Sequence, residues 1–171
     1  MAPSAAAPAT IPTYQSALEL FEATRDAALD RVKTMRKLEK LEGRKSSEAV
    51  RSQSYEATGR GGGADPTSRI DDRLDLEEIY RRRLSEDNDL IELAGMLIYG
   101  RERHKGGVEK LVSPDHADVL NFYYRKAETW PSVADMVGMS ATWCKLAART
   151  AIDQVDAYGV GRMLAGTGMA S

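Results

Sequence analysis

Apolar residues first fall into a regular pattern after Tyr14. From there to about Leu41 the chain has neither proline nor glycine, and Leu18, Phe21, Ala28, Val32 and Met35 recur at spacings of three, four or seven. That spacing predicts a helix with one narrow apolar stripe. Arg25 interrupts the stripe, and Leu38 and Leu41 continue it only by changing phase, so a short helix–helix seam is expected in place of a long coiled coil. A second long helix is predicted from about Thr67 or Ser68, either of which suits an N-cap. It runs through Ile70, Leu74, Ile79, Leu84, Leu90, Ile91, Ala94, Leu97 and Ile98. Between the two, Ser46, Ser47, Ser52, Ser54 and the stretch from Gly59 to Pro66 read as a flexible linker over about 43–67. Together these features predict a charged antiparallel hairpin over 14–107, closed by Gly100, Gly106 and Gly107. The same stripes could instead pair between two copies as a homodimer, because a lone hairpin buries little surface.

The pattern changes after residue 112. Ser113-Pro114-Asp115 has the order of an N-cap, a first-turn proline and an acidic first turn, and starts a helix expected to reach about Lys126. A short helix opens at Trp130, and an uninterrupted helical stretch runs from Ala141 to about Tyr158. Helix, short helix, glycine turn, helix is the helix-turn-helix order. With Trp130 as the first position, Val133, Val137, Met139, Cys144 and Ala147 fall where the two helices must pack. Ala134 stands where only a small side chain fits, Gly138 where the turn needs positive φ, and Ser140 at the cap of the second helix. The fold class expected is therefore all-α: a long antiparallel hairpin, then a helix-turn-helix module over 113–158. Residues 1–13, rich in Ala, Pro, Ser and Thr, are expected to form a disordered arm, and 159–171 a flexible tail.

Composition narrows the functions. The 171 residues hold 24 Lys and Arg against 26 Asp and Glu, for a net charge of -2, which is neither a basic nucleic-acid coat nor an acidic tail. Mean hydropathy is -0.45 and aromatics make up 6%, a balance suited to charged amphipathic helices. Charge is uneven, however: Arg31, Lys33, Arg36, Lys37, Lys40, Arg44 and Lys45 stand against only Glu39 and Glu42. A solvated helix end is the simpler reading of that cluster, and a phosphate-binding patch the other. Arg81, Arg82 and Arg83 point about 100° apart and read as helix-surface ion-pair partners.

Catalytic chemistry is not indicated. Cys144 is the single cysteine and lies at a packing position, which excludes an intrachain disulfide and suits a reducing compartment. His104 and His116 have no second ligand at metal spacing. The carboxylates follow helix-surface spacing, and the glycine run lacks both the strand and the Gly-Lys-Ser/Thr of a nucleotide loop. No enzyme, cofactor, metal or small-molecule substrate is expected. No apolar stretch has the roughly 18 to 20 residues of a membrane span, and the N-terminus does not read as a secretory signal. Trp143, at the rim of the last long helix, is expected to pack within the protein.

The run WPSVADMVGMSATWCKLAARTAI resembles the sigma-factor region-4 type of helix-turn-helix. More narrowly, it is similar to phage and prophage proteins that set such a module behind a charged helical hairpin, in the manner of the ArpU and RinA class of late-gene transcriptional regulators. Trp130, Val133, Ala134, Gly138 and Ser140 stand on the positions of that pattern's usual tryptophan, aliphatic, alanine, glycine and serine. The resemblance is sharp over Pro114 to Asp156 and architectural over Tyr14 to Lys105. It implies a cytoplasmic protein of a bacterial host cell with double-stranded DNA as partner. Ser140, Ala141, Thr142, Lys145, Leu146 and Arg149 would face the major groove, and the hairpin would serve for homodimerisation or contact with RNA polymerase.

The sequence departs from the pattern in charge. Its second helix offers only Lys145 and Arg149. From Ser113 onward Arg125, Lys126, Lys145, Arg149 and Arg162 face Asp115, Asp118, Glu128, Asp135, Asp153 and Asp156, so the module is expected to bind DNA weakly by itself. Two other readings stand beside this one. One is an oligomeric packaging subunit of the small-terminase kind, whose usual order of helix-turn-helix and oligomerisation helices is the reverse. The other is a helical adaptor that binds protein and not DNA.

Overall fold

The computed structural model describes residues 14–52, 66–102 and 105–165. The arm expected at 1–13, Arg103 and His104 lie outside the described residues. The elements are α1 (Ala17–Ser52), α2 (Pro66–Tyr99), α3 (Gly107–Leu111), α4 (Pro114–Leu120), α5 (Trp130–Val137), α6 (Ala141–Tyr158) and α7 (Val160–Ala165). One π-helical turn, Asn121–Arg125, continues α4. Among the described residues there is no strand, and the chain is all-α.

Three boundaries differ from expectation. First, α1 runs through Gly43 to Ser52 and α2 begins at Pro66, so both ends of the expected linker are helical and 53–65 lie outside the described residues. A glycine in a helix costs about 1 kcal/mol, and the proline-free run after Gly43 carries the helix past it. Thr67 and Ser68 sit inside α2, because Pro66 suits a first helical turn that needs no N–H. Second, the first part of the expected tail is α7. Gly159, at φ 99°, ends α6, and its carbonyl accepts from the N–H groups of Arg162 and Met163, which returns Met163 to the core. Third, α3 was not foreseen. Gly107 there adopts φ 70°, and a Cβ would meet the Ile98 carbonyl at 2.5 Å, so only glycine allows the chain to double back this closely on α2.

The buried face of α1 follows the predicted stripe only at Phe21 and Ala28. Leu18, Val32 and Met35 are 43%, 49% and 42% exposed, while Ala17, Leu20, Phe21, Thr24, Ala27, Ala28 and Thr34 are buried. Threonine and alanine occupy seam positions that a search for large apolar residues passes over. Thr24 is tolerated there because its hydroxyl donates to the Leu20 carbonyl at 2.8 Å.

Helices α1 and α2 lie antiparallel, with Arg81 3.9 Å from Glu42 and Lys37 over the Tyr80 ring. The two ends of this hairpin are built differently. At its foot, Leu20 and Phe21 of α1 and Ala94, Leu97 and Ile98 of α2 share one core with Val108, Leu120, Val133, Cys144, Ala151, Val155 and Met163. The hairpin foot and the helix-turn-helix are thus one packed body. Farther out, in the arm, the described side chains between Leu29 and Ser47 and between Ile70 and Leu90 include only two buried ones, Thr34 and Glu77. Glu77 is 3% exposed, and its Oε1 has no hydrogen-bond partner among the described residues. Nearer the foot, Asp87 has its carboxyl pushed up, first by desolvation and then by Asp30 and Glu86.

Candidate nucleic-acid interface

Local signals explain the turn between α5 and α6. Thr129 caps α5 by accepting from the Ser132 N–H, with Pro131 in the first turn. Gly138 then adopts the left-handed conformation at φ 74°, and both its N–H and that of Met139 donate to the Ala134 carbonyl. Ser140 reopens the helix, its Oγ accepting from the Trp143 N–H at 3.1 Å. In α6, Cys144, Ala147, Ala148, Ala151, Ile152 and Val155 are buried. Burial pushes the Cys144 thiol pKa up, as suits a packed thiol rather than a reactive one.

Among the residues expected to pack the two helices together, Val133, Cys144 and Ala147 are buried. Val137 and Ala134 are half-buried. Met139 departs from the expectation: it is 44% exposed, because the Gly138 turn swings it outward past the end of α5. Trp130 is half-buried and stacks on Tyr123, with ring centroids 3.7 Å apart and planes 14° apart.

The residues expected to meet DNA fall into two groups. Thr142, Leu146 and Arg149 follow each other at spacings of four and three and form one exposed stripe, with Lys145 exposed beside it; Leu146 is 64% exposed. Neither Lys145 nor Arg149 has an ion pair or side-chain hydrogen bond among the described residues. Ser140 and Ala141 stand at the start of α6, where the Ser140 side chain is already committed to the cap. The amides of Ala141 and Thr142 are the ones this cap leaves without an intrahelical acceptor. Asp153 continues the stripe one turn later, so the face is mixed in character; Met136 is exposed on α5.

What orients this face was only partly foreseen. The Arg25 guanidinium lies 4.0 Å from the Tyr123 ring centroid, opposite the Trp130 stack, and donates to the carbonyls of Tyr123 and Glu128. These carbonyls flank Ala127, a non-glycine residue at φ 55°, so a cation from α1 clamps the strained approach to α5. The signal in the sequence was the one charge interrupting the apolar stripe. Arg125 is likewise structural: it donates to the Ile91 carbonyl and to Asn121 Oδ1 and fills the space left by Gly95, where a Cβ would meet its guanidinium at 3.0 Å. Asp156 accepts from the Ala17 N–H at 2.6 Å and caps α1. Trp143 meets the His116 ring edge-on at 5.5 Å, and His116 Nδ1 lies 2.7 Å from Ser113 Oγ, which places both rings in the packing of α4 against α6.

Among the described residues no group of three or more metal-ligating side chains gathers, and no helix is long and apolar enough to cross a membrane. No known protein family, curated protein or solved structure matches the chain.

Proposed function

We propose that this protein is a DNA-binding transcriptional regulator of phage or prophage origin. It would work in the bacterial cytoplasm, with a sigma-region-4-like helix-turn-helix in the major groove and the hairpin for dimerisation or RNA polymerase contact. The observation that carries the reading is the exposed stripe on a doubly capped α6, with Lys145 and Arg149 uncommitted among the described residues. In this reading the α6 N-terminus approaches a phosphate. Lys145 and Arg149 supply phosphate or base-edge contacts, and Leu146 meets a thymine methyl. Electrophoretic shift at low salt with phage promoter DNA and with random DNA of equal length tests it. Preference for the promoter fragment, lost in Lys145→Ala with Arg149→Ala, is the expected result, and no shift with either DNA rejects it.

Exposure of Met136, Met139 and Leu146 on the same module favours a second reading, a helical adaptor that binds protein through this face. It predicts that Leu146→Ala abolishes partner capture while no DNA is bound at any salt. The packaging-subunit reading predicts a large ring by mass.

A further inference from the structure

The arm carries an exposed apolar pattern that reads the same in both directions along one side. Seam residues of the hairpin include Thr34, Leu38 and Leu41 on α1 and Glu77, Tyr80 and Leu84 on α2, which recur at three and four. In an antiparallel pair of right-handed helices, the residue that follows a seam residue lies on the same side of the hairpin for both helices. The Glu42–Arg81 ion pair crosses on that side, since Glu42 follows Leu41 and Arg81 follows Tyr80. Met35 lies seven residues before Glu42 and Leu74 seven residues before Arg81. Because the helices are antiparallel, these two lie in opposite directions from the ion pair, each about 10 Å away. Val32 extends the first patch and Ile70 the second; all four side chains are 42–49% exposed.

We infer that this side of the arm is the interface for a second copy of the chain. The copies pack antiparallel about a two-fold axis at Glu42–Arg81, so that Met35 and Val32 of each cover Leu74 and Ile70 of the other. Arg81 is 62% exposed and already lies 3.5 Å from Glu77 and 3.9 Å from Glu42 of its own hairpin; in the dimer its guanidinium also meets Glu39 of the second copy. Charged groups therefore meet opposite charges at the centre and apolar groups meet apolar groups on either side. The assembly is a four-helix bundle that supplies the core the arm lacks. The opposite side of the arm is mostly charged, lined by Asp30, Lys33, Lys37, Arg83 and Glu86, with Leu76 exposed farther out. Ala17 lies 25 residues from Glu42, so the two bodies end up at opposite ends, roughly 75 Å apart.

The inference rests on the hairpin's proposed role in dimerisation but not on DNA binding, so the two fail separately. Light scattering on the whole protein should give twice 18.8 kDa; a monomer at tens of micromolar overturns the inference whatever the protein does with DNA. Orientation is read by oxidation of cysteine variants, with buried Cys144 left in place and the parent protein as control. Met35→Cys alone and Leu74→Cys alone should remain uncrosslinked, because their like positions sit about 20 Å apart across the axis. An equimolar mixture of the two should form the disulfide dimer. A crosslink in Met35→Cys alone indicates parallel pairing and overturns the inference, as does no crosslink in the mixture. Arg81→Glu should weaken the dimer at least tenfold with helicity unchanged, and an unchanged dimer counts against the central charge pairing.

Discussion

The foot of the hairpin and its arm are made from the same two helices, yet they are held by different forces. In the foot, α1 and α2 are two walls of a core completed by five shorter helices, and polar side chains there act as clamps with every contact specified: Arg25 on two carbonyls, Arg125 on Ile91, Asp156 on the first turn of α1. In the arm the seam is mixed, with Leu38, Leu41, Tyr80 and Leu84 only half-buried, Glu77 buried, and Asp87 partly desolvated near Asp30 and Glu86 as well as Arg31 and Arg83. A helix pair of this kind has little to hold it together except continuity with the foot, and apolar residues are left on its outside. Stability is therefore concentrated at one end of the helices, and the other end leaves Val32, Met35, Ile70 and Leu74 exposed.

That contrast can be broken at several points. The largest effect is expected from Phe21→Ala, which empties a fully buried site against Tyr124 and should cost about 3–5 kcal/mol in chemical denaturation. A loss below about 1 kcal/mol would show that the foot is not the main source of stability. Arg25→Ala removes two charge-assisted hydrogen bonds and a cation–π contact and should cost about 2–4 kcal/mol. Its signature would be loosened Trp130 fluorescence and DNA affinity lowered with Lys145 and Arg149 still in place.

A reversed sign is expected in the arm. Glu77→Leu replaces a buried carboxylate whose Oε1 is unpartnered and whose Oε2 lies 3.5 Å from the largely exposed Arg81, and should be neutral or stabilising, by about 1 kcal/mol or more; destabilisation by that amount would mean that the Glu77–Arg81 pair holds the arm together. The smallest effect is one of pH. Burial, then Tyr123 and Glu22, push the Tyr124 phenol from 10.0 up to about 12. The proton is held more tightly in the folded state, so the stability this adds is complete below pH 10 and drains away as pH rises from 10 through 12. Tyr124→Phe should flatten that decline in thermal melts.

The sequence made some of this legible and concealed the rest for identifiable reasons. The helix-turn-helix could be read because its constraints are local: Gly138 must reach positive φ and Ser140 must cap, and neither depends on the remainder of the fold. The two long helices were readable from their period, but the buried face of α1 only at Phe21 and Ala28, because Thr24, Ala27 and Thr34 also occupy it while Val32 and Met35 point outward. Gly43 looked like a break and is a tolerated helix residue. The partners that bind the hairpin foot into the module could not be read, since Arg25, Tyr123 and Glu128 are distant in sequence and only the fold brings them together. Arg25 did leave a trace, as the one charge in an apolar stripe.

In the proposed function α6 meets DNA through a mixed exposed face on which Lys145 and Arg149 make no ion pair or side-chain hydrogen bond among the described residues. Fluorescence anisotropy on a labelled promoter duplex, titrated over salt for the parent protein and for Lys145→Ala with Arg149→Ala, tests it most directly. The expected result is a log–log salt slope reduced by about 1 to 2 in the double variant, with affinity lowered on all sequences. An identical slope and affinity in the two proteins would contradict it.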